Sequence, residues 1–449
     1  MGSGSAPVSR GRMAMLQVID RVSLILILCS LSSFLGAQSP PAGSVKEGAG
    51  LQEASLRIEP LLLKTAKGSA LPNLTNSADG SALLSWVEPA ADGKGVCLRL
   101  STLGENGWGE AVTAAQGSGW FVNWADFPSA AVLLDGTMAV HWLDRISQKT
   151  YAYGVKVSIS SDQGKTWSDP IIPHRDDSQT EHGFVALRSM GDHFFLAWLD
   201  GRAMADGEGK PMTLRATTIS AKGTRGIDRL LDDRVCDCCP LDALVDGEDV
   251  TLVYRDRDFL GVRDISWLQV GAEKIHQQGL VREDGWVQEG CPVNGPSMAS
   301  SGSTRAVAWY TGVDRVLDQP APEGAVLATL LDPAIEGEKS SAVRIDDGRP
   351  VGRVDIAGLG DGSYLLCWLE RQGDGGEVRV RRWTPGSARG SSHRIGSTSP
   401  GRRSGYPRIV ALKDGSAVVA WTETEVDGGT AVRTVKIPGL ARSTTPSSR

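Results

Sequence analysis

Seven aromatic-centred segments recur along the chain: DGSALLSWVE around Trp86, DGTMAVHWLD around Trp142, GDHFFLAWLD around Trp198, EDVTLVYRD around Tyr254, STRAVAWYT around Trp309, DGSYLLCWLE around Trp368 and DGSAVVAWTE around Trp421. Their aromatics lie 56, 56, 56, 55, 59 and 53 residues apart. A period this regular and this close to 50 residues belongs to propeller blades, in which each unit is one small antiparallel sheet. Within a unit a short apolar run leads into an Asp-Gly or similar turn. An alternating strand ending at the aromatic follows, then a third strand such as YGVKVSIS or EVRVRRW. The spacing predicts an all-β fold, a seven-bladed β-propeller, with a six-bladed ring as the alternative. The seventh unit runs out after its third strand, TAVRTVKIP, while SLRIEPLLLK (55–64) stands unpaired before the first. The N-terminal strand is therefore expected to complete the last blade, which removes two open sheet edges.

Composition narrows the partners. With 449 residues, 41% hydrophobic and 22% charged, the chain can bury a large core. A net charge of −6 and a pI near 5.7 offer no basic surface, so nucleic acid is not an expected partner. A saccharide or other small ligand met by a monomer is the expectation. Residues 1–37 read as an export signal, with Arg10, Arg12 and Arg21 before the apolar run 22–35 and a cleavage site after Ala37. Starts at Met13 or Met15, and retention of the signal as an anchor, stay open. Export implies a periplasmic or secreted protein without a stable membrane span after processing. Residues 38–53 read as a flexible linker, 54–439 as the propeller and 440–449 as a flexible tail.

Counting back fourteen residues from each central aromatic reaches the start of each innermost strand, where the chemistry is not core-like. Asn123, Trp124 and Asp126 stand there in one unit, and His174, Arg175, Asp176, Glu181 and His182 in the next. Cys236, Cys238, Cys239 and Asp242 follow, then Cys291 and Asn294, Arg353 and Asp355, Tyr406 and Arg408. The ends of the second strands add Asp144, Asp200, Arg202, Arg255, Asp256, Arg257 and Glu370. First strands start and second strands end on one face of a propeller, so these groups are expected to converge around an axial pocket. Two bland readings stand beside this one. Arg/Asp pairs such as Asp256 with Arg257, or Arg353 with Asp355, can simply lock blades together, and a pocket can bind without catalysing. The second-strand tryptophans are core.

The cysteines allow three outcomes. Cys291 can bridge to one of Cys236, Cys238 and Cys239 as a clasp between adjacent loops. The thiolates, with His174 and His182, can take a soft metal such as copper or zinc, although no cofactor is required. The remaining thiols can do redox chemistry. Cys97 and Cys367 are expected to be buried free thiols.

SSDQGKTW (160–167) matches the Asp-box turn, and NWADFPS, PHRDDSQTEHGF, WLDGR, VCDCCP, YRDR, CPVNGP and GRVD complete a likeness covering about residues 55–438. The chain thereby resembles a bacterial sialidase-like β-propeller family, labelled exo-alpha-sialidase. The resemblance implies glycoside cleavage with Asp126 as acid, Tyr406 as nucleophile and Glu181 or Glu423 as its base, and Arg202, Arg255, Arg353 and Arg408 as carboxylate binders. Unlike six-bladed sialidases, the chain has seven units, and its first opens with ALPNLTN and no Arg-Ile-Pro element.

Overall fold

The computed structural model describes residues 56–207, 209–312, 324–332 and 342–440. The segments expected as leader, linker and tail lie outside these residues, apart from the boundary residues. Seven antiparallel sheets form a ring, one for each aromatic-centred repeat. The innermost strands, in blade order, are Ala70–Asn76, Ser129–Val132, His182–Met190, Asp242–Asp246, Ser297–Ser301, Pro350–Gly358 and Arg408–Ala411. Blade 7 is completed from the N-terminal side. Glu59–Leu61 pairs antiparallel with Thr430–Ile437, with Glu59 opposite Lys436 and Leu61 opposite Thr434. Ring closure is thus as the repeat count required, although only three residues of the expected strand pair. At the other end the packed chain runs to Leu440, which is buried and donates its amide to the Gly415 carbonyl.

The seven central aromatics all lie on second strands and all are buried. A buried indole N–H needs an acceptor. The sequence supplies it two residues on: Trp86 donates to Glu88 (2.8 Å), Trp198 to Asp200 (2.7 Å) and Trp368 to Glu370 (2.6 Å). Trp309 uses Asp284 (2.8 Å), and the Tyr254 hydroxyl uses Asp232 (2.7 Å). Acids at the ends of second strands are therefore partly committed to holding the core.

Blade 2 has three regular strands, with Ile171 exchanging two backbone hydrogen bonds with Val157 where a fourth would run. The turn before it, Ser160–Trp167, is closed by Asp162, which accepts from Thr166 N (2.8 Å) and Thr166 Oγ1 (2.6 Å). Gln163 and Gly164 both take positive φ (61° and 83°) there. Inner strands 1, 3 and 6 share a bulge, at Leu71, Phe184 and Arg353, each a non-glycine residue at φ 54–57°. Such residues cost about 1–3 kcal/mol each, and bulges re-aim side chains near functional sites.

The face of the propeller gathered around Glu181

Much of the expected axial constellation turns out to lace the blades together. Arg188 of blade 3 pairs with Asp242 of blade 4, and Ser297 of blade 5 donates to Asp355 of blade 6 (2.6 Å) and to Asp242 (3.1 Å). Asp355 also accepts the Ile409 amide (2.9 Å) and lies 3.2 Å from Arg408 Nε of blade 7. Arg255, 1% exposed, spends its guanidinium on three carbonyls, those of Asn294, Arg263 and Tyr310. Asn294 in turn accepts the Arg353 amide (2.6 Å). Asp256 accepts from Arg257 N and Ser266 Oγ, while the Arg257 side chain pairs with Asp237 (2.9 Å). Arg353 stacks on Trp124 (4.4 Å to the ring centroid) and donates to Gly401 O, Ser404 Oγ and Gly405 O. These charges are spent within the protein. Along the axis itself a cavity of about 20 Å³ remains, against Asp126 and Arg408, room for a single water. A larger hollow of about 520 Å³ lies between blades 3 and 4 around the turns Met190–His193 and Gly247–Glu248, on the opposite face.

Tyr406 is placed apart from the glutamates expected to activate it. Its hydroxyl is donated to the Val293 carbonyl (2.7 Å), and its ring packs against Trp124 and Phe127. Burial raises its pKa further above the ordinary phenol range. Glu423 pairs instead with Arg433 (2.6 Å) at the periphery.

The tyrosine that does meet a glutamate is Tyr153, at the start of blade 2's third strand, whose hydroxyl is donated to Glu181 Oε1. Third strands begin on the face where second strands end, so the topology that collected the other candidates also covers Tyr153; only first-strand starts and second-strand ends had been counted. Tyr153 is fully buried under Phe121, with ring centroids 3.9 Å apart. Behind the pair lies Asp126, 2% exposed, both of its oxygens buried and approached only loosely by donors, with no hydrogen bond of ordinary geometry. Burial pushes its carboxyl well above the usual range, the Glu181 charge adds to that, and the Phe184 amide and Tyr153 hydroxyl moderate it. Gly183 is the only residue that fits between them, because a Cβ there would collide with Asp126 Oδ2 and the Tyr153 ring. Glu181, half-buried, is the member that reaches the surface. Burial pushes its carboxyl up to about 7; the Tyr153 hydrogen bond opposes this and the Asp237 charge adds to it.

Next to this trio is a second, oppositely poised carboxylate. Asp176 accepts from His182 Nε2 (3.0 Å) and Ser178, contacts His174 Nδ1 (3.2 Å) and lies 3.5 Å from Arg202. Burial opposes its ionisation, but hydrogen bonds from His174, His182 and Ser178 hold it far below the ordinary carboxylate range. The His174 and His182 rings stack at 4.1 Å, and His182 Nδ1 reaches the Tyr153 carbonyl (3.3 Å), linking the two carboxylates. Burial disfavours the His182 cation, yet Asp176 and Asp200 outweigh it and raise the pKa. Arg202 closes the cluster onto Asp200 (2.7 Å) and Asp228 (2.8 Å), and the Arg175 amide donates to Asp228 (3.0 Å). Asn123 accepts the Ala125 amide (3.2 Å), shaping the loop that delivers Asp126.

The cysteines divide. Cys238 and Cys291 form a disulfide, joining the loop before blade 4 to the loop before blade 5. Cys236 and Cys239 are buried thiols with sulfurs 2.8 Å apart, and Arg263 Nη1 lies 3.1 Å from Cys236 Sγ. The thiols and the histidines form separate groups. Within each group the ligand atoms lie within 4.8 Å of one another, and in the thiol group Arg263 already contacts Cys236 Sγ. Cys97 and Cys367 are buried and free.

No family model matches the sequence, and a search of curated proteins finds no match. Solved structures are similar in fold. The polysaccharide lyase Uly1 superposes with a TM-score of 0.50 at 10% identity, over 85% of this chain and 92% of that one. The alpha-L-arabinofuranosidase Arb93A from Fusarium graminearum gives 0.47 at 12%, over 85% and 97%. A Trypanosoma rangeli sialidase gives 0.44 at 10%, over 74% and 56%. At these identities the likeness speaks to the propeller fold alone. No helix among the described residues is long and apolar enough to cross a membrane.

Proposed function

We propose that the protein is an exported glycan-cleaving enzyme in which Glu181 is the proton donor and acceptor at the glycosidic oxygen. The observation that carries this reading is a half-buried Glu181 that accepts the hydroxyl of buried Tyr153, beside an Asp176 that accepts from His182 and Ser178; these surroundings push the Glu181 carboxyl up to about 7 and keep Asp176 ionised. Environments that push two carboxyls apart in this way assign acid and base roles. Tyr153 is a positioning residue, its hydroxyl fixing the Glu181 carboxyl. Asp126, neutral behind it, keeps a second negative charge away while Glu181 gives up its proton. Asp176 keeps His182 cationic and, with Arg202, supplies the fixed charges beside a developing oxocarbenium or oxyanion. The named fold neighbours, two glycosidases and a polysaccharide lyase, all cleave glycans, the glycosidases by hydrolysis and the lyase by elimination. Export rests on the apolar run of residues 22–35.

The mature chain, assayed against aryl sialosides, aryl arabinofuranosides and uronate-containing polysaccharides, separates the routes. Hydrolysis releases reducing ends, whereas elimination releases an ultraviolet-absorbing unsaturated uronate. Glu181→Gln is expected to lower turnover by about 10²–10⁴-fold while leaving binding of the same glycan in place. Equal turnover by the wild type and Glu181→Gln would refute the assignment.

A further inference from the structure

The sulfurs of Cys236, Cys238 and Cys239 all lie within 4.8 Å of one another. One of them is in a disulfide to Cys291, and the other two are thiols in contact. The thiols are 0% and 2% exposed, so solvent reagents do not reach them directly, whereas Cys291 is exposed and Cys238 half-buried. Disulfides exchange by attack of a thiolate on a neighbouring sulfur, and the attacking thiol needs an anion-stabilising surrounding. Cys236 has one. Arg263 Nη1 lies 3.1 Å from its sulfur, Arg255 adds a second guanidinium, and the Cys239 thiol contacts the same atom. Burial disfavours this thiolate, but those partners together hold Cys236 below the ordinary thiol range, while burial keeps Cys239 protonated.

We propose that Cys236, Cys238, Cys239 and Cys291 form an intramolecular thiol–disulfide relay, in which the Cys238–Cys291 disulfide and the Cys236/Cys239 dithiol exchange places. In the first step the Cys236 thiolate forms a bond to Cys238 Sγ. The Cys238–Cys291 bond breaks, and its electron pair leaves on Cys291, which takes a proton from water. In the second step Cys239 attacks Cys236 Sγ and gives its proton to the neighbouring Cys238 sulfur, the Cys236–Cys238 bond breaks, and Cys238 leaves as a thiol. One disulfide and two thiols are present before and after, so no external oxidant or reductant enters.

The exchange has a mechanical result. In one state the loop carrying Asp237 is tied to the loop before blade 5; in the other the tie moves inside a single C-x-x-C segment, and Cys291 is a free surface thiol. Asp237 is one of two residues whose charge acts on Glu181, raising its pKa where His182 lowers it. The relay therefore couples the disulfide state to the carboxyl that faces solvent, although its existence does not depend on the function assigned to Glu181.

The test uses the mature wild-type chain, in which two of these four cysteines are already thiols. Aliquots shifted from about pH 5 to about pH 8 are acid-quenched, denatured, alkylated and mapped. The expected result is that Cys238–Cys291 and Cys236–Cys239 linkages coexist, reaching the same ratio whichever predominated at the start. One pairing that persists unchanged at the higher pH would overturn the relay. Arg263→Gln, checked for folding by circular dichroism, is expected to slow the approach to that ratio several-fold at neutral pH, with the gap closing under alkaline conditions. An unchanged rate at neutral pH would remove Arg263 from the mechanism and count against the relay.

Discussion

Two stretches of the same face carry similar residue types to opposite ends. From blade 3 around to blade 7, Asp242 and Asp355 meet Arg188 and Arg408 across blade boundaries, with Ser297 bridging the two acids. Between blades 2 and 3, Asp126 is just as buried and Glu181 half-buried, and neither is in an ion pair among the described residues. Their shared neighbour is a tyrosine, and the positive charge acting on Glu181 is that of His182. A paired buried charge is a structural lock, because either partner alone would be stranded. Unpaired carboxyls keep their protons instead, and a proton held near neutral pH can be moved. Burial pushes Asp355 up as well, but there Arg408 opposes it, so the partner marks the difference between the two arcs.

The contrast breaks most visibly on the paired side. Asp355→Ala is expected to destabilise the chain by about 3–5 kcal/mol, because it leaves the largely buried Arg408 without its anion and the Ile409 amide without an acceptor. Urea denaturation of the purified variant measures it. A loss under about 1 kcal/mol would mean that the axial lacing is decorative.

On the unpaired side the effect depends on pH. The Glu181 carboxyl is pushed up to about 7 from 4.5. The folded state therefore keeps a proton that the unfolded chain releases. The stability this contributes is complete below about pH 4.5 and is lost as the pH rises through about 7, on the order of 3 kcal/mol in total. Buried Asp126 adds a loss of the same sign. Glu181→Gln removes its share, so the melting temperature of the variant should fall less than that of the wild type between about pH 5 and about pH 8. Parallel profiles would show that Glu181 titrates as an ordinary surface carboxyl.

The fold was legible because its signal is repetitive: seven aromatics at a near-constant period and an unpaired strand at the N-terminal end require a closed ring. The site was legible only as a face. Asp126 and Glu181 were found by counting from the aromatics, but Tyr406 and Tyr153 occupy equally plausible strand starts, and only distances show which one meets a carboxylate. Pairing was hidden for the same reason. Asp355 was matched in sequence with Arg353, two residues away, whereas its partner is Arg408 on the next blade. Strand topology puts side chains on a face, but inter-blade packing decides their partners.

A smaller effect sharpens the role of Tyr153. Tyr153→Phe deletes the donor to Glu181 while keeping the ring on Phe121, and should cost about 1–2 kcal/mol. Because that hydrogen bond holds the Glu181 carboxyl down, its loss should move the Glu181 limb of the pH–rate profile upward. An unmoved limb together with a stability loss would assign Tyr153 a packing role only.

The smallest effect is expected where the carboxyl is most buried. Asp126→Asn replaces a neutral acid that the Phe184 amide and Tyr153 hydroxyl approach only loosely by an amide of nearly the same shape, so no ion pair is broken and no cation is stranded. Stability at about pH 6 should change by less than about 1 kcal/mol, and at about pH 8 the variant should be the more stable, since the wild type there is strained toward an ionised carboxylate in an apolar site. Turnover should be largely kept, because a neutral amide keeps a second negative charge away from Glu181 as the neutral acid does. If Asp126→Asn instead costs as much as Asp355→Ala, then Asp126 has a partner in solution, and the division of the face into a paired arc and an unpaired one is lost.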